Sequence, residues 1–123
     1  MSGLADPLDF ARRWAAAFDA HDVDRVLELF HDDVVFISPL AARVVPESGG
    51  VIQGKAALHD YWSAALAERP TLRFALSSLQ AGVDTLLIGF IHPGTDAPER
   101  IDVLRLRDGK VFEGHGTYPL ALD

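Results

Sequence analysis

The carboxyl-terminal half of the chain carries four strand-like runs in succession, separated only by short turns. Each run is rich in β-branched, aliphatic or aromatic residues, and the dipeptide Asp108-Gly109 is a strong signal for a two-residue hairpin. The runs cover residues 72–80, 85–92, 100–107 and 110–118. Parallel neighbours would need long crossover connections, so this half of the sequence predicts an antiparallel meander.

The amino-terminal half instead shows helical spacing of apolar residues in three segments. Asp6-Pro7 supplies an N-cap and a first-turn proline for a helix that is predicted to end near Ala20, and Asp22 and Gly54 begin the other two helices. The apolar positions are Phe10, Trp14 and Phe18 in the first helix, Val23, Val26, Leu27 and Phe30 in the second, and Leu58, Tyr61, Trp62 and Ala65 in the third.

A single strand is predicted between the second and third helices, at residues 33–39. Pro39 ends this strand because proline cannot donate to a β-ladder, which places Ser38 at the strand end. Residues 40–53 break the pattern and predict a loop, a candidate lid, with a short strand at Val51-Ile52. Helices followed by a meander indicate the α+β class, with the helices on one face of the sheet.

Composition limits the partners and the compartment. The 123 residues predict one domain over residues 1–123, and a formal net charge of −7 argues against nucleic acid and anionic membranes as partners. We therefore expect a small ligand that is not strongly anionic. The chain has no cysteine, no signal-peptide pattern and no apolar stretch near the ~18 residues of a membrane span, which favours a cytoplasmic protein.

Asp102 shares a strand face with Leu104 and Leu106, because side chains alternate across a strand. A carboxyl on an apolar face must find a partner or take up a proton, so it is a candidate functional group. The alternative is a rim position in which Asp102 pairs with Arg100 or Arg43. The run of residues 100–107 alone leaves both interpretations open.

The segment from Ala20 to Asp33 resembles the start of the SnoaL-like and steroid Δ-isomerase members of the nuclear transport factor 2-like superfamily. Gly54-Lys55-Ala56-Ala57-Leu58 and Ile101-Asp102 recur where those families begin a helix and line a pocket. The resemblance covers nearly the whole chain. It implies a cone-shaped, cystatin-like fold: a curved antiparallel sheet and three helices around a conical pocket.

The resemblance to the steroid isomerases is partial at the catalytic positions. Their mechanism uses an aspartate base with a tyrosine and a protonated aspartic acid. This chain has Ser38 at the position of the base, Trp14 at that of the tyrosine and Trp62 at that of a second pocket tyrosine, so only Asp102 corresponds. A serine hydroxyl is too weak to remove a carbon-bound proton unaided, and we exclude steroid Δ-isomerase as the native activity.

The predicted site therefore consists of Asp102, as acid or hydrogen-bond donor, and Ser38, as a positioning group. Residues predicted to line the pocket are Trp14, Phe18, Phe36, Tyr61, Trp62, Phe74, Leu104 and Tyr118. His21, His31, His59 and His92 lack ligand spacing and are interpreted mostly as surface residues, so we expect no metal site. No phosphate loop, serine elbow or dinucleotide fingerprint is present, and no cofactor is expected.

Two functions from different classes fit these residues. The first is a small cofactor-independent enzyme, of the isomerase, cyclase, hydrolase or lyase type, that acts on an apolar carbonyl compound. The second is a non-catalytic ligand-binding or dimerisation module. The family resemblance also implies a homodimer through the convex sheet face, where we place Ile101, Val103 and Val111. Glu113 and His115 are predicted to face outward, with an acid–base pair in the pocket as the alternative.

Overall fold

The computed structural model describes residues 6–122, which form four α-helices, one short 3-10 helix and a six-stranded curved sheet. The helices are α1 (Pro7–Asp19), α2 (Val23–Leu27), α3 (Pro39–Val44) and α4 (Lys55–Ala67), with the 3-10 turn at Pro46–Ser48. The strands are β1 (Phe30–Ile37), β2 (Val51–Gln53), β3 (Ala75–Ala81), β4 (Thr85–Ile91), β5 (Arg100–Arg107) and β6 (Lys110–Gly116). The α+β class is confirmed.

The strands lie in the order β2-β1-β6-β5-β4-β3. The meander β3 to β6 is antiparallel as predicted, but β1 runs parallel to β6, so the sheet is mixed. This parallel pair joins the first and last strands of the chain, a connection that local sequence patterns do not reveal. No helix in residues 6–122 is long and apolar enough to cross a membrane.

The helix starts follow the capping residues of the sequence. Asp6 accepts a hydrogen bond from the amide of Asp9 (3.0 Å), and Asp22 accepts one from the amide of Arg25 (3.1 Å). The prediction that Phe30 belongs to the second helix is wrong. Helix α2 ends at Leu27, and Phe30 begins β1, where it pairs with Val111 of β6.

Residues 40–53 are not the irregular loop that the sequence predicted. Ser38 accepts a hydrogen bond from the amide of Leu40 (3.1 Å) and so caps α3, whose first residue is Pro39. After the 3-10 turn the chain returns as β2, which pairs antiparallel with β1 and contains the predicted strand at Val51-Ile52. Residues 51–53 are therefore held to the sheet edge by ladder hydrogen bonds, and Leu40 and Arg43 of α3 lie at the cavity described below. A lid role for the segment stays a prediction.

The β5–β6 hairpin contains an irregularity that reverses one prediction. Asp108 and Gly109 both have positive φ, 55° and 77°, as a type I′ turn requires. Arg105 pairs with Glu113 but Leu106 pairs with Val111, so Phe112 is an extra residue in β6. Val111 consequently lies in the core and is fully buried, not on the convex face as predicted.

The core lies between the helices and the concave face of the sheet, where the large aromatic side chains gather. Glycines in β6 make room for two of the side chains from the end of β1. A Cβ at Gly114 would lie 2.6 Å from the Phe36 ring, and one at Gly116 would lie 2.9 Å from Ser38 Oγ. A larger residue at either position would collide with these side chains.

Candidate active site

A cavity of about 280 Å³ opens between α1, α4 and the concave face of the sheet, at the lower end of the range for ligand pockets, roughly 300–1,000 Å³. Nine of the ten predicted site residues line it: Trp14, Phe18, Phe36, Ser38, Tyr61, Trp62, Phe74, Asp102 and Tyr118. The tenth, Leu104, does not. Its side chain is fully buried one row deeper, beside Gly114, and its role is core packing.

The cavity wall is a set of aromatic rings in mutual contact. Trp62 meets the rings of Phe18 and Phe36 edge to face at centroid distances of 5.1 and 5.3 Å, and Phe18 lies 5.3 Å from Phe74. Trp14 contacts Phe18 at 4.8 Å. Rings packed in this way hold one another in place, so the wall presents a preformed apolar surface to a flat ligand.

Asp102 lies on β5 opposite Ile88 of β4 and Gly116 of β6, and its residue is only 6% exposed. Within residues 6–122 the carboxyl makes no ion pair and accepts no hydrogen bond. Every side-chain oxygen in this range that is completely shielded from solvent has a hydrogen-bond partner, so the Asp102 oxygens are not completely shielded. Its oxygens therefore open into the cavity. Burial raises the pKa of Asp102 from 3.8 to about 7, against a smaller opposing effect of the Arg100 charge.

Ser38 Oγ and Asp102 Oδ1 converge over the bare Cα of Gly116. A Cβ at that position would lie 2.9 Å from the first oxygen and 3.7 Å from the second. Ser38 Oγ accepts the Leu40 amide, and its own hydroxyl hydrogen is left for the Tyr61 oxygen or for a ligand in the cavity. Burial raises the pKa of Tyr61 to about 12, with the neighbouring Ser38 hydroxyl acting in the opposite direction, and the phenol stays protonated at neutral pH.

His92 also lines the cavity, although its sequence context was interpreted as a surface position. It is 6% exposed, and its Nδ1 donates a hydrogen bond to the Arg73 carbonyl at 2.9 Å. That bond fixes the tautomer in which Nε2 carries the lone pair, and burial lowers the pKa of His92 below its usual 6.5, against a smaller opposing effect of the Arg73 carbonyl. Continuing the period-two pattern of Leu86, Ile88 and Phe90 by one step would have found it.

Arg100 lines the cavity between Asp102 and the mouth, but it does not pair with the carboxyl as the rim interpretation required. Its guanidinium carbon lies 3.8 Å from the centroid of the Tyr118 ring. Glu113 and His115 face away from the cavity, as predicted, and interact with each other at 2.9 Å on the convex face. In residues 6–122 no group of three or more His, Asp or Glu side chains could hold a metal ion.

A comparison with the sequence models of protein families identifies the family of this chain. The sequence model of the SnoaL-like domain matches residues 11–114, which is most of the chain. The chain belongs to the SnoaL-like family. The match runs from within α1 to within β6 and includes both Ser38 and Asp102, and it confirms the resemblance seen in the sequence.

Solved structures share the fold over nearly their whole length. A SnoaL-like protein of unknown function from Burkholderia thailandensis is 28% identical, with a TM-score of 0.82 and coverage of 91% of this chain and 92% of that one. TerC, crystallised with polyporic acid, is 18% identical (TM-score 0.73; coverage 92% and 91%). IdmH of Streptomyces antibioticus, provisionally assigned as a polyketide cyclase, is 19% identical (TM-score 0.74; coverage 91% and 91%). A search of curated proteins found no match.

Proposed function

We propose that this SnoaL-like chain binds a small, flat, apolar carbonyl compound in its aromatic cavity and that Asp102 supplies the acid of a cofactor-independent isomerase, cyclase or lyase reaction. The observation that carries the proposal is the Asp102 carboxyl itself. It is buried, lacks a partner within residues 6–122, and opens into the cavity. A buried carboxyl without a structural partner costs stability, so a ligand contact gives it a role.

The chemistry follows from the protonation states of the polar groups. The raised pKa of Asp102 keeps a carboxylic acid present near neutral pH, which can donate a hydrogen bond to a ligand carbonyl and stabilise the oxyanion formed when a neighbouring carbon loses a proton. Tyr61 and Ser38 add hydroxyl groups on the same side of the cavity. The proton released from that carbon passes to water in the cavity, because His92 Nε2, a neutral proton acceptor, lies four residues beyond Ile88, the partner of Asp102, roughly 13 Å along the sheet.

The structural relatives are consistent with this ligand class. Polyporic acid is the compound named with TerC, and IdmH is provisionally assigned as a polyketide cyclase. Both proteins share less than a quarter of their residues with this chain, so they support the fold and suggest only the class of ligand.

A non-catalytic binding or dimerisation module is the second candidate, and the replacement of the isomerase base by Ser38 favours it. The convex face offers an interface for a homodimer: Ile37 of β1, His115 of β6, Val103 of β5 and Leu87 of β4 lie in one row there and are partly exposed. We propose that two copies of a single-domain cytoplasmic chain meet on this face, which would cover an otherwise exposed apolar band.

The test uses 2-acetonaphthone, a flat neutral ketone, as the probe. Titration at pH 6 should quench the fluorescence of Trp14 and Trp62, and in D₂O the protein should speed deuterium incorporation at the methyl group next to the carbonyl. We expect Asp102→Asn to retain binding, because an amide still donates, and to lose the exchange. Asp102→Leu should weaken binding, while the exposed Asp33→Asn control changes neither.

The two candidates give different outcomes. Binding with exchange at the buffer rate in the wild-type protein supports the non-catalytic module. Binding that is unchanged in Asp102→Leu removes Asp102 from the site.

A further inference from the structure

The mouth of the cavity is basic although the chain as a whole is acidic. Arg43, Arg69 and Arg100 line it, against one carboxylate, Glu68. The net charge of −7 therefore describes the outer surface and not the site. A cleft lined by one sign of charge attracts ligands of the opposite sign.

Arg100 is the member of this group that the fold holds most firmly. It lies two residues before Asp102 on β5, so both side chains are on the cavity face of the sheet. Its Cζ lies 3.8 Å from the Tyr118 ring centroid and 5.5 Å from that of Phe90. Nε donates to the Thr117 carbonyl at 3.4 Å, which leaves the two terminal nitrogens for another acceptor.

No carboxylate in residues 6–122 forms an ion pair with Arg100, Arg43 or Arg69. The other arginine–carboxylate pairs, such as Arg73 with Asp19 and Arg105 with Asp84, lie outside the cavity. Arg100 is partly buried, whereas Arg43 and Arg69 are exposed. A partly buried arginine beside an apolar cavity has given up some hydration, and a bound anion restores that loss with charge-assisted hydrogen bonds.

His92 stands close to the same place. Its ring meets the edge of the Phe90 ring at 5.6 Å, and Arg100 reaches the same ring, so the two polar groups share one aromatic neighbour. Arg100 brings donors and a charge, and Nε2 of His92 brings an acceptor. An acidic hydroxyl that loses its proton to the histidine would leave its oxyanion beside the guanidinium.

We infer that the ligand carries an anionic oxygen, of a carboxylate or an ionised acidic hydroxyl, which binds Arg100 near the mouth while the carbonyl end reaches Asp102. This inference rests on the proposed function, because it names the substrate class of the same cavity. Arg100 lies two residues before Asp102 on β5, which separates their Cα atoms by roughly 7 Å at the usual rise of a strand. A single aromatic ligand can therefore reach both polar groups.

The experiment compares 2-naphthoate with 2-naphthamide, which have the same rings and nearly the same shape but differ in charge. At pH 6 the naphthoate is ionised and Asp102 is largely protonated. We expect naphthoate to bind about tenfold more tightly in low salt, equivalent to about 1.4 kcal/mol, and the preference to shrink as salt is added. Arg100→Gln should abolish the preference by lowering the affinity for naphthoate to that for naphthamide.

Arg107→Gln is the matched control, because Arg107 is on the same strand, is exposed and does not line the cavity. It should keep the tenfold preference. Equal affinities for naphthoate and naphthamide in the wild-type protein, with 2-acetonaphthone still bound, would overturn this inference and leave the proposed function intact. A preference that survives Arg100→Gln would also overturn it. If none of the three probes binds, the proposed function and this inference fall together.

Discussion

Replacing Asp102 with asparagine should change how the stability of the protein depends on pH. Burial holds the pKa of the folded carboxyl near 7, against 3.8 for an ordinary aspartate. Between those values the folded state keeps a proton that the unfolded state has released, so the free energy of unfolding falls as pH rises. The slope is about 1.4 kcal/mol per pH unit and the whole window amounts to about 4 kcal/mol. The protonated Asp102 carboxyl contributes its whole stabilisation of the folded state below pH 3.8, and this stabilisation is lost above about pH 7.

Urea unfolding of the wild-type protein and Asp102→Asn, measured at intervals from about pH 4 to pH 8, tests this reasoning. As pH rises across that range, the unfolding free energy of the wild-type protein should fall by about 4 kcal/mol relative to that of Asp102→Asn, because asparagine does not titrate. Asp19, whose pKa the Arg73 ion pair lowers to about 2, is present in both proteins, so its contribution cancels in the difference. A difference that stays constant with pH would refute a buried, neutral carboxyl.

Three further outcomes follow from the geometry. Gly116→Ala should lower the unfolding free energy in urea by about 1–3 kcal/mol and weaken 2-acetonaphthone binding, because the new methyl group would lie 2.9 Å from Ser38 Oγ. Gly82→Ala is the control, because its new methyl group would make ordinary 3.7 Å contacts. Equal effects of the two substitutions would contradict the crowding at Gly116. Val103→Asp should turn the proposed dimer into a monomer in light scattering, and an unchanged mass would place the interface elsewhere. Ser38→Asp should be required before any steroid isomerisation appears, so turnover by the wild-type protein would reverse that exclusion.

The sequence predicted the features that depend on local chemistry. Asp6 and Asp22 cap the helices expected of them, the hairpin turns at Asp108-Gly109, and the period-two pattern placed Asp102 on the buried face of β5. Ser38-Pro39 carries the same cap and first-turn proline as Asp6-Pro7. It was interpreted as the end of a strand, although it is also the start of α3.

The features that were missed depend on long-range packing. The extra residue at Phe112 shifts the alternation in β6 by one, which no period-two analysis of a single strand can detect before its partner is known. The parallel pairing of β1 with β6 brings Ser38 to Gly116 across most of the chain. The basic mouth could not be inferred from net charge, because a total says nothing about where Arg43, Arg69 and Arg100 meet.

The most direct test of the account is an NMR titration of the Asp102 side-chain carboxyl carbon in the ligand-free protein, assigned with Asp102→Asn. A buried carboxyl that opens into an aromatic cavity without a counterion should titrate with a pKa near 7. A pKa at or below the ordinary 3.8 would mean a solvated or ion-paired aspartate. It would contradict Asp102 as the acid of this site.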